Sequence, residues 1–573
     1  LKDAIQQGGA KTGSDDFYLG GTRRSGSKDS LKPTEEQIIG EILPALKKAI
    51  DSTDQRDINS SCMVAMAKIG KNHPDFNLID IFKPRLKKND QEVRETAALA
   101  IGIAALAGEQ EMDLLVGLAL DKDKGRAEYG SSVDNRTRAF ALYGLGLTAH
   151  KTTNIGIKTK AFSALKEVLA DDKVSDRNLK VAAINAIGIL NIDTSTDAEN
   201  EKALLTEALE SLETYYGKSL GAGEQLIQAH CPPAIAKLIG HDHPKAEYYK
   251  DMFATDLQEK GKVKRSNNTI FQSCAVALGQ LVGPYTDKDK KACPEGKYSE
   301  LLLDTWHSHK DAQTRNFAVL GLGIIGGELN RTVLLKEFDK GGKAIEKPWC
   351  ALALGVYSFF KYEAQKKANG TVEPEKFIAD TLIDALKKEK DPGLTGALAI
   401  GLGLTQATEA ADTMRARMVE NMAKEQMAGY LCIGLALMND QRSIEEIRGV
   451  VQQSTRRFEL LQQAAIALGK LGDKRVADDL QKLMTDGEPN LAKLSAIASA
   501  IGFIGDARTI GPLKKLLFDD KLGDLSRAFA AVALGGVADK EPLPWNSKIG
   551  TNINYRASVE TLTNKQTGIL DIL

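Results

Sequence analysis

Two lines of sequence, 33 residues apart, constrain this chain more than any other feature. The first is Leu461-Gln462-Gln463-Ala464-Ala465-Ile466-Ala467-Leu468-Gly469-Lys470-Leu471-Gly472-Asp473, and the second runs from Leu494 to Asp506 around Ala500-Ile501-Gly502. Between them Val476, Leu480, Leu483 and Met484 follow the i, i+4, i+7, i+8 spacing of an amphipathic helix. The unit is therefore helix, turn, helix, and a period of this size marks a solenoid. The same line returns at Gly102, Gly146, Gly188, Gly279, Gly323, Gly355, Gly403, Gly434 and Gly535. Steps between these glycines run from 31 to 44 residues, apart from two wider gaps. The gap after Gly188 has room for a degenerate copy at 234–240, the gap after Gly355 holds an insertion, and 64–70 reads as a first copy. The expected total is about 13 units.

A glycine inside a helix costs about 1 kcal/mol against alanine. A chain that repeats this cost needs a return, and the expected one is close approach of neighbouring helices where a side chain would not fit. The alanines flanking the glycines suit the same account.

On these residues the chain resembles HEAT repeats of the phycobilisome-lyase-like type. In that family an arginine commonly opens the second helix, and Arg94, Arg138, Arg315 and Arg527 hold that place, with Lys180 and Lys493 as variants. The likeness covers roughly Pro33 to Asp539. It implies an all-α, HEAT-like α-solenoid of helix-turn-helix repeats with non-repeat N- and C-terminal arms. The stretch after Asp539, through Glu541-Pro542-Leu543-Pro544-Trp545 to Gly568-Ile569-Leu570-Asp571-Ile572-Leu573, resembles the closing segment of large HEAT-repeat proteins from planctomycete bacteria.

The expected organisation has three parts: an arm at 1–32, a solenoid at 33–540, and a tail at 541–573. Pro33-Thr34-Glu35-Glu36 suits a helix N-terminus. Polar or irregular stretches near 121–137, 230–269, 284–300 and 361–376 read as insertions. Such decoration in the middle of a repeat array points to specific contacts there.

Composition removes several functional classes. There are 76 basic against 77 acidic residues, a net charge of −1, and no basic stripe runs through successive repeats, so a nucleic-acid partner is not expected. The densest basic run, Lys260-Gly261-Lys262-Val263-Lys264-Arg265, reads as a solvated loop. No apolar run reaches the ~18 residues of a membrane span. The sequence begins at Leu1, and either a removed export signal or a shortened chain would account for that, so the compartment stays open, with an exported or lumenal site following from the first. Of six cysteines, Cys62, Cys274, Cys350 and Cys432 sit in small-residue positions of repeat helices, and no C-x-x-C occurs.

Motifs that could carry chemistry read mostly as structure. Gly321-x-Gly323-x-x-Gly326 and Gly144-x-Gly146-x-x-Ala149 match dinucleotide patterns, but both fall inside repeat helices, where the fingerprint needs a strand before it and a helix opening at it. His241-x-His243 and His307-x-His309 are the paired histidines, with His230 near the first pair. On a helix, i and i+2 diverge, so such a pair would bind a metal only from a loop; surface or capping roles are the alternative. The chain lacks the His-Glu dipeptide through which HEAT-like hydroxylases bind iron. No catalytic residue, cofactor or metal is therefore expected.

Two readings remain. One is a non-catalytic protein-binding scaffold that organises partners, an enzyme complex among them, into a larger assembly. A solenoid offers an extended surface for this. The partners implied are other proteins, a multi-subunit enzyme and further copies of the chain itself. The other is a HEAT-like enzyme of lyase or metal-dependent hydroxylase type with a site in the decorated middle. For the scaffold, the arms are the expected attachment points. A Gly- and Ser-rich arm buries too little apolar area to offset an ordering entropy of about 1–2 kcal/mol per residue, so a partner would supply the difference. Phe17 and Tyr18 in the first arm and Trp545, Tyr555 and Arg556 in the second are the candidate anchors.

Overall fold

A computed structural model describes residues 32–193, 198–283, 296–340, 346–369, 375–473, 475–485 and 491–539. Most of these residues are helical, and among them there is no strand, only an isolated bridge between His73 and Phe76. The chain is an all-α solenoid. Its described residues divide into two compact units, one of residues Leu43–Leu281, the other of residues 282–539 together with 32–42.

Each unit has two rows of helices. In the first unit the second row is Arg56–Ile69, Gln91–Ala104, Asn135–Lys151, Arg177–Gly188, Cys231–Ile239 and Asn268–Leu281, each packed on the next. In the other unit it is Ala312–Ile325, Lys347–Asn369, Pro392–Thr405, Glu425–Leu437, Phe458–Leu471, Leu491–Ile504 and Asp524–Ala538, again in succession. That makes thirteen second-row helices among the described residues, including the degenerate copy after Gly188 and the first copy before Gly70.

Several of these helices are apolar nearly all round and buried on almost every face, as a helix enclosed by neighbours must be. Leu394 to Thr405 are all buried, as are Leu431 to Met438. The first-row helices are amphipathic. Lys376–Lys388 buries Ile378, Ala379, Leu382, Ile383 and Leu386 and turns its lysines and aspartates outward.

The repeated glycines are where second-row backbones touch. A methyl built on Gly102 would lie 2.1 Å from the Cα of Gly144, and one on Gly355 would lie 2.6 Å from that of Gly401. Gly323 meets the carbonyl of Ala353 at 2.5 Å and Gly434 that of Ala399 at 2.4 Å by the same construction. Gly144, Gly146 and Gly323 are thus committed to packing inside their helices, which removes the dinucleotide reading of both motifs.

The recurring arginines share one contact. Each reaches back to the last carbonyls of the helix before it, groups that no intrahelical N–H can satisfy. Arg94 donates to the carbonyls of Lys88 and Asn89, Arg138 to Ala119, Arg315 to His309, and Arg527 to Leu517. Lys180 donates to three, those of Val168, Leu169 and Asp171. An aspartate four residues earlier caps the same helix, Asp90 on the Val93 N–H, Asp134 on that of Thr137 and Asp311 on that of Thr314.

In the regular repeats, ion pairs tie each repeat to the next. Arg448 meets Asp473 at 3.0 Å and Asp479 at 2.8 Å, and Arg415 meets Asp440 and Glu446 one repeat earlier. Residues 35–42 belong to this unit too, with Thr34 and Gln37 forming a capping box and Glu41 lying 3.0 Å from Lys514.

Two stretches differ from the sequence reading. The polar stretch at 121–135 contains a helix, Asp123–Tyr129, tethered because Asp121 accepts from Arg126 and from the Val133 N–H at 2.8 Å. The Lys260–Arg265 run does not read as a solvated loop to its end. The Arg265 side chain is 3% exposed and lies 3.1 Å from Asp256, with its guanidinium 4.1 Å from the centre of the Tyr216 ring.

Candidate functional site

The proposed anchors Phe17, Tyr18, Trp545, Tyr555 and Arg556 lie outside the described residues. The candidate histidines lie within them and do not converge. His243 Nδ1 accepts the N–H of Lys245 at 3.1 Å, and His309 Nδ1 accepts that of Asp311 at the same distance, so both close local turns. His241 lies 3.0 Å from Asp242 beside it in the chain. His230 is buried at the start of the Cys231–Ile239 helix, 3.4 Å from Asn185. Burial and Lys245 lower the His243 pKa. Among the described residues no three His, Cys, Asp or Glu side chains gather as metal ligands would.

One polar pocket brings together groups that elsewhere do chemistry. It has a volume of about 390 Å³ and is lined by Trp306, His307, Arg315, Glu337, Glu346 and Cys350, among others. His307 Nε2 lies 3.0 Å from Glu337 Oε2, and Trp306 donates to the same oxygen. Burial pushes the Glu337 carboxyl up, but hydrogen bonds from Lys340, His307 and Trp306 outweigh it and hold the group below its ordinary value. Cys350 would be the nucleophile, yet burial, with Glu337 and Glu346 nearby, pushes its thiol up to about 12. A catalytic thiol needs the opposite shift, so the pocket reads as a charge-satisfied joint between helices.

The buried node around Arg265 is likewise structural. Arg265 donates to Gln228 Oε1 and to the Tyr216 carbonyl, while the Tyr216 hydroxyl donates to Asp256 at 2.6 Å. Gln228 stands where other repeats place arginine or lysine and donates to the carbonyls of Tyr215, Tyr216 and Lys218. Burial pushes the Cys274 thiol beside it up to about 12 and raises that of Cys231.

The surfaces that remain unsatisfied lie on the first-row helices. Phe377 is 64% exposed and Leu329 52% exposed, on consecutive first-row helices, Lys376–Lys388 and Glu328–Asp339. A groove of about 670 Å³ runs beside Phe377, lined also by Arg331, Thr332, Leu335, Lys336, Asp339 and Lys340. In the other unit Tyr248 is 53% exposed over a groove of about 590 Å³ with Glu210, Glu213, Lys245 and Met252. Its hydroxyl donates to Glu213, as does that of Tyr249.

Sequence reasoning did not single out these residues. A signal existed for Phe377, which falls off the apolar stripe of its own helix. Large apolar side chains exposed beside a groove are what protein-binding faces present.

A family described as HEAT repeats matches the chain over residues 419–499. No curated protein matches it. Solved structures similar to the chain include Kap121p bound to Pho4p, at 13% identity and a TM-score of 0.35, over 92% of this chain and 56% of that one. Kap121p bound to Ste12p is similar at 12% identity and a TM-score of 0.35, over 92% and 55%. A structure from work on a phosphorylation switch in the interaction between cadherin and beta-catenin follows at 12% identity and a TM-score of 0.26, over 80% of this chain and 98% of that one. The chain therefore spans about half the length of the Kap121p chains it resembles.

Proposed function

We propose that this chain is a non-catalytic scaffold that binds other proteins and organises them into a larger assembly. The observation that carries the reading is the contrast between its pockets and its surface. The pocket that collects a thiol, an imidazole and a carboxylate keeps the thiol buried, whereas Phe377 and Tyr248 stand exposed beside open grooves. The second-row helices are consumed by packing on one another, which leaves the first row and the terminal arms to meet partners.

In this proposal the solenoid at 33–540 carries the repeats, and the arms at 1–32 and 541–573 attach it through Phe17, Tyr18, Trp545, Tyr555 and Arg556. The likeness of the tail to planctomycete HEAT-repeat proteins directs the choice of partner towards a multi-subunit enzyme. That group includes the accessory subunit that organises nitrite oxidoreductase into tubules.

The test is capture of partners from the native source by the full chain, with mass spectrometry, repeated after deleting residues 1–32 or 542–573. A folded, helical deletion variant that no longer assembles supports the reading. If both deletions assemble as well as the full chain, the arms are not the attachment points. If no stoichiometric protein partner is captured, the scaffold reading fails.

A further inference from the structure

The groove beside Phe377 has features that an ordinary solvated helix face lacks. Phe377 stands off the buried stripe of the Lys376–Lys388 helix, and Leu335 forms the apolar floor on the neighbouring Glu328–Asp339 helix. Its charged rim is mostly spoken for. Arg331 pairs with Glu328 and Glu375, and Lys340 with Glu337. Lys336 also lines the groove and makes no ion pair among the described residues. The lining carries three cations, Arg331, Lys336 and Lys340, against the single carboxylate of Asp339. What fits is a short segment with a large apolar side chain or two beside a carboxylate.

The chain contains such a segment. Asp15-Asp16-Phe17-Tyr18-Leu19 places two carboxylates directly before three apolar side chains in an arm otherwise rich in Gly, Ser and Lys. Its route to its own groove is poor. From Leu19 to Lys32 there are 13 residues, which span at most about 45 Å when fully extended. Residues 35–42 pack against the Ile510–Leu517 helix, and from there four to five first-row steps of roughly 8–10 Å each separate them from the groove. Only an almost fully stretched arm would close that distance, at a large entropic cost.

We infer that the groove formed by Leu335, Lys336 and Phe377 receives the Asp15–Leu19 segment of a second copy of this chain. Phe17 and Tyr18 cover Phe377 and Leu335, and the aspartates approach Lys336. This deepens the scaffold reading by naming one of its partners, and it rests on that reading for its purpose.

The experiment uses the full chain and two variants, Phe377→Glu and the double change Phe17→Ala with Tyr18→Ala. Phe377 is exposed, so circular dichroism and melting should be unchanged in both. Light scattering across a concentration series should show self-association of the full chain, and at least a tenfold weaker association for each variant alone. Mixing the two variants is the decisive step, because one keeps its groove and the other keeps its arm. A mixed dimer, detected with one copy labelled, is the expected result. Absence of a mixed dimer, or association of Phe377→Glu as strong as that of the full chain, overturns the inference. So does a full chain that stays monomeric at every concentration. Capture of native partners by Phe377→Glu separates the two readings: if it persists while self-association is lost, the scaffold role stands apart from this contact.

Discussion

Replacing Gly102 by alanine sets two well-characterised effects against each other. In the interior of the Gln91–Ala104 helix, alanine is favoured over glycine by about 1 kcal/mol. The added methyl, however, would sit 2.1 Å from the Gly144 Cα and 3.1 Å from its nitrogen. Carbon atoms in good contact are about 3.5–4.0 Å apart, so the two helices must separate by roughly 1.5 Å. Because backbone rather than a rotatable side chain blocks the methyl, the overpacking cost falls at the upper end of the usual ~1–3 kcal/mol. The net expectation is a loss of about 2 kcal/mol.

Gly449→Ala is the control. It lies in the Ile444–Gln453 helix with nothing within 4 Å of the new methyl, so the full gain of about 1 kcal/mol should appear. Gly469 falls between, since its obstacle is the Ile504 side chain at 2.6 Å, which can rotate. Replacing it by leucine should still cost ~1–3 kcal/mol. A repeat array need not unfold in one step, so native-state hydrogen exchange is the proper assay. Protection in 91–104 and 135–151 should fall about 30-fold for Gly102→Ala, and protection in 444–453 should rise about fivefold for Gly449→Ala. Equal effects at the two sites, or higher protection in Gly102→Ala, would refute the close-approach account.

Three further outcomes are expected. Arg265→Met should destabilise the Leu43–Leu281 unit by about 3–5 kcal/mol, because it strands the buried Asp256 carboxylate; urea unfolding checks this, and an Asp256→Asn, Arg265→Met pair should recover part of the loss. Asp121 is held down to about 2 chiefly by its hydrogen bond from Arg126, with burial opposing and the Val133 N–H assisting. Its contribution is therefore complete above its ordinary value of 3.8 and disappears as pH falls towards 2, so protection of 121–134 should drop over that window and lose the dependence in Asp121→Asn. Cys274, Cys350 and Cys432, each buried with its thiol pushed up to about 12, should resist iodoacetamide at pH 8 in the native protein and react once it is unfolded.

The sequence by itself determined the parts of this protein that repeat. Gly102, Gly144, Gly355 and Gly434 mark close helix contacts, and it is their recurrence at one place in the repeat, not glycine in a helix as such, that discloses them. Arg94, Arg138, Arg315 and Arg527 recur at one position because every preceding helix ends in carbonyls that need a donor. Periodic constraints of this kind are local, and a single chain states them many times over.

What the tertiary structure alone decided is the set of contacts made once. Arg265 looked like the end of a basic loop until Asp256, Tyr216 and Gln228 were seen to enclose it, and those partners come from separate stretches of the chain. Phe377 falls off the apolar stripe of its own helix already in the sequence, but only the packing shows that it stays 64% exposed beside a groove. The histidines, read from the sequence as surface or capping residues with a metal role only from a loop, became turn closures at His243 and His309 when the atoms opposite each ring nitrogen were known. A contact made once leaves no period behind it, so only the packing of distant segments can show whether a side chain is enclosed or left to meet another molecule.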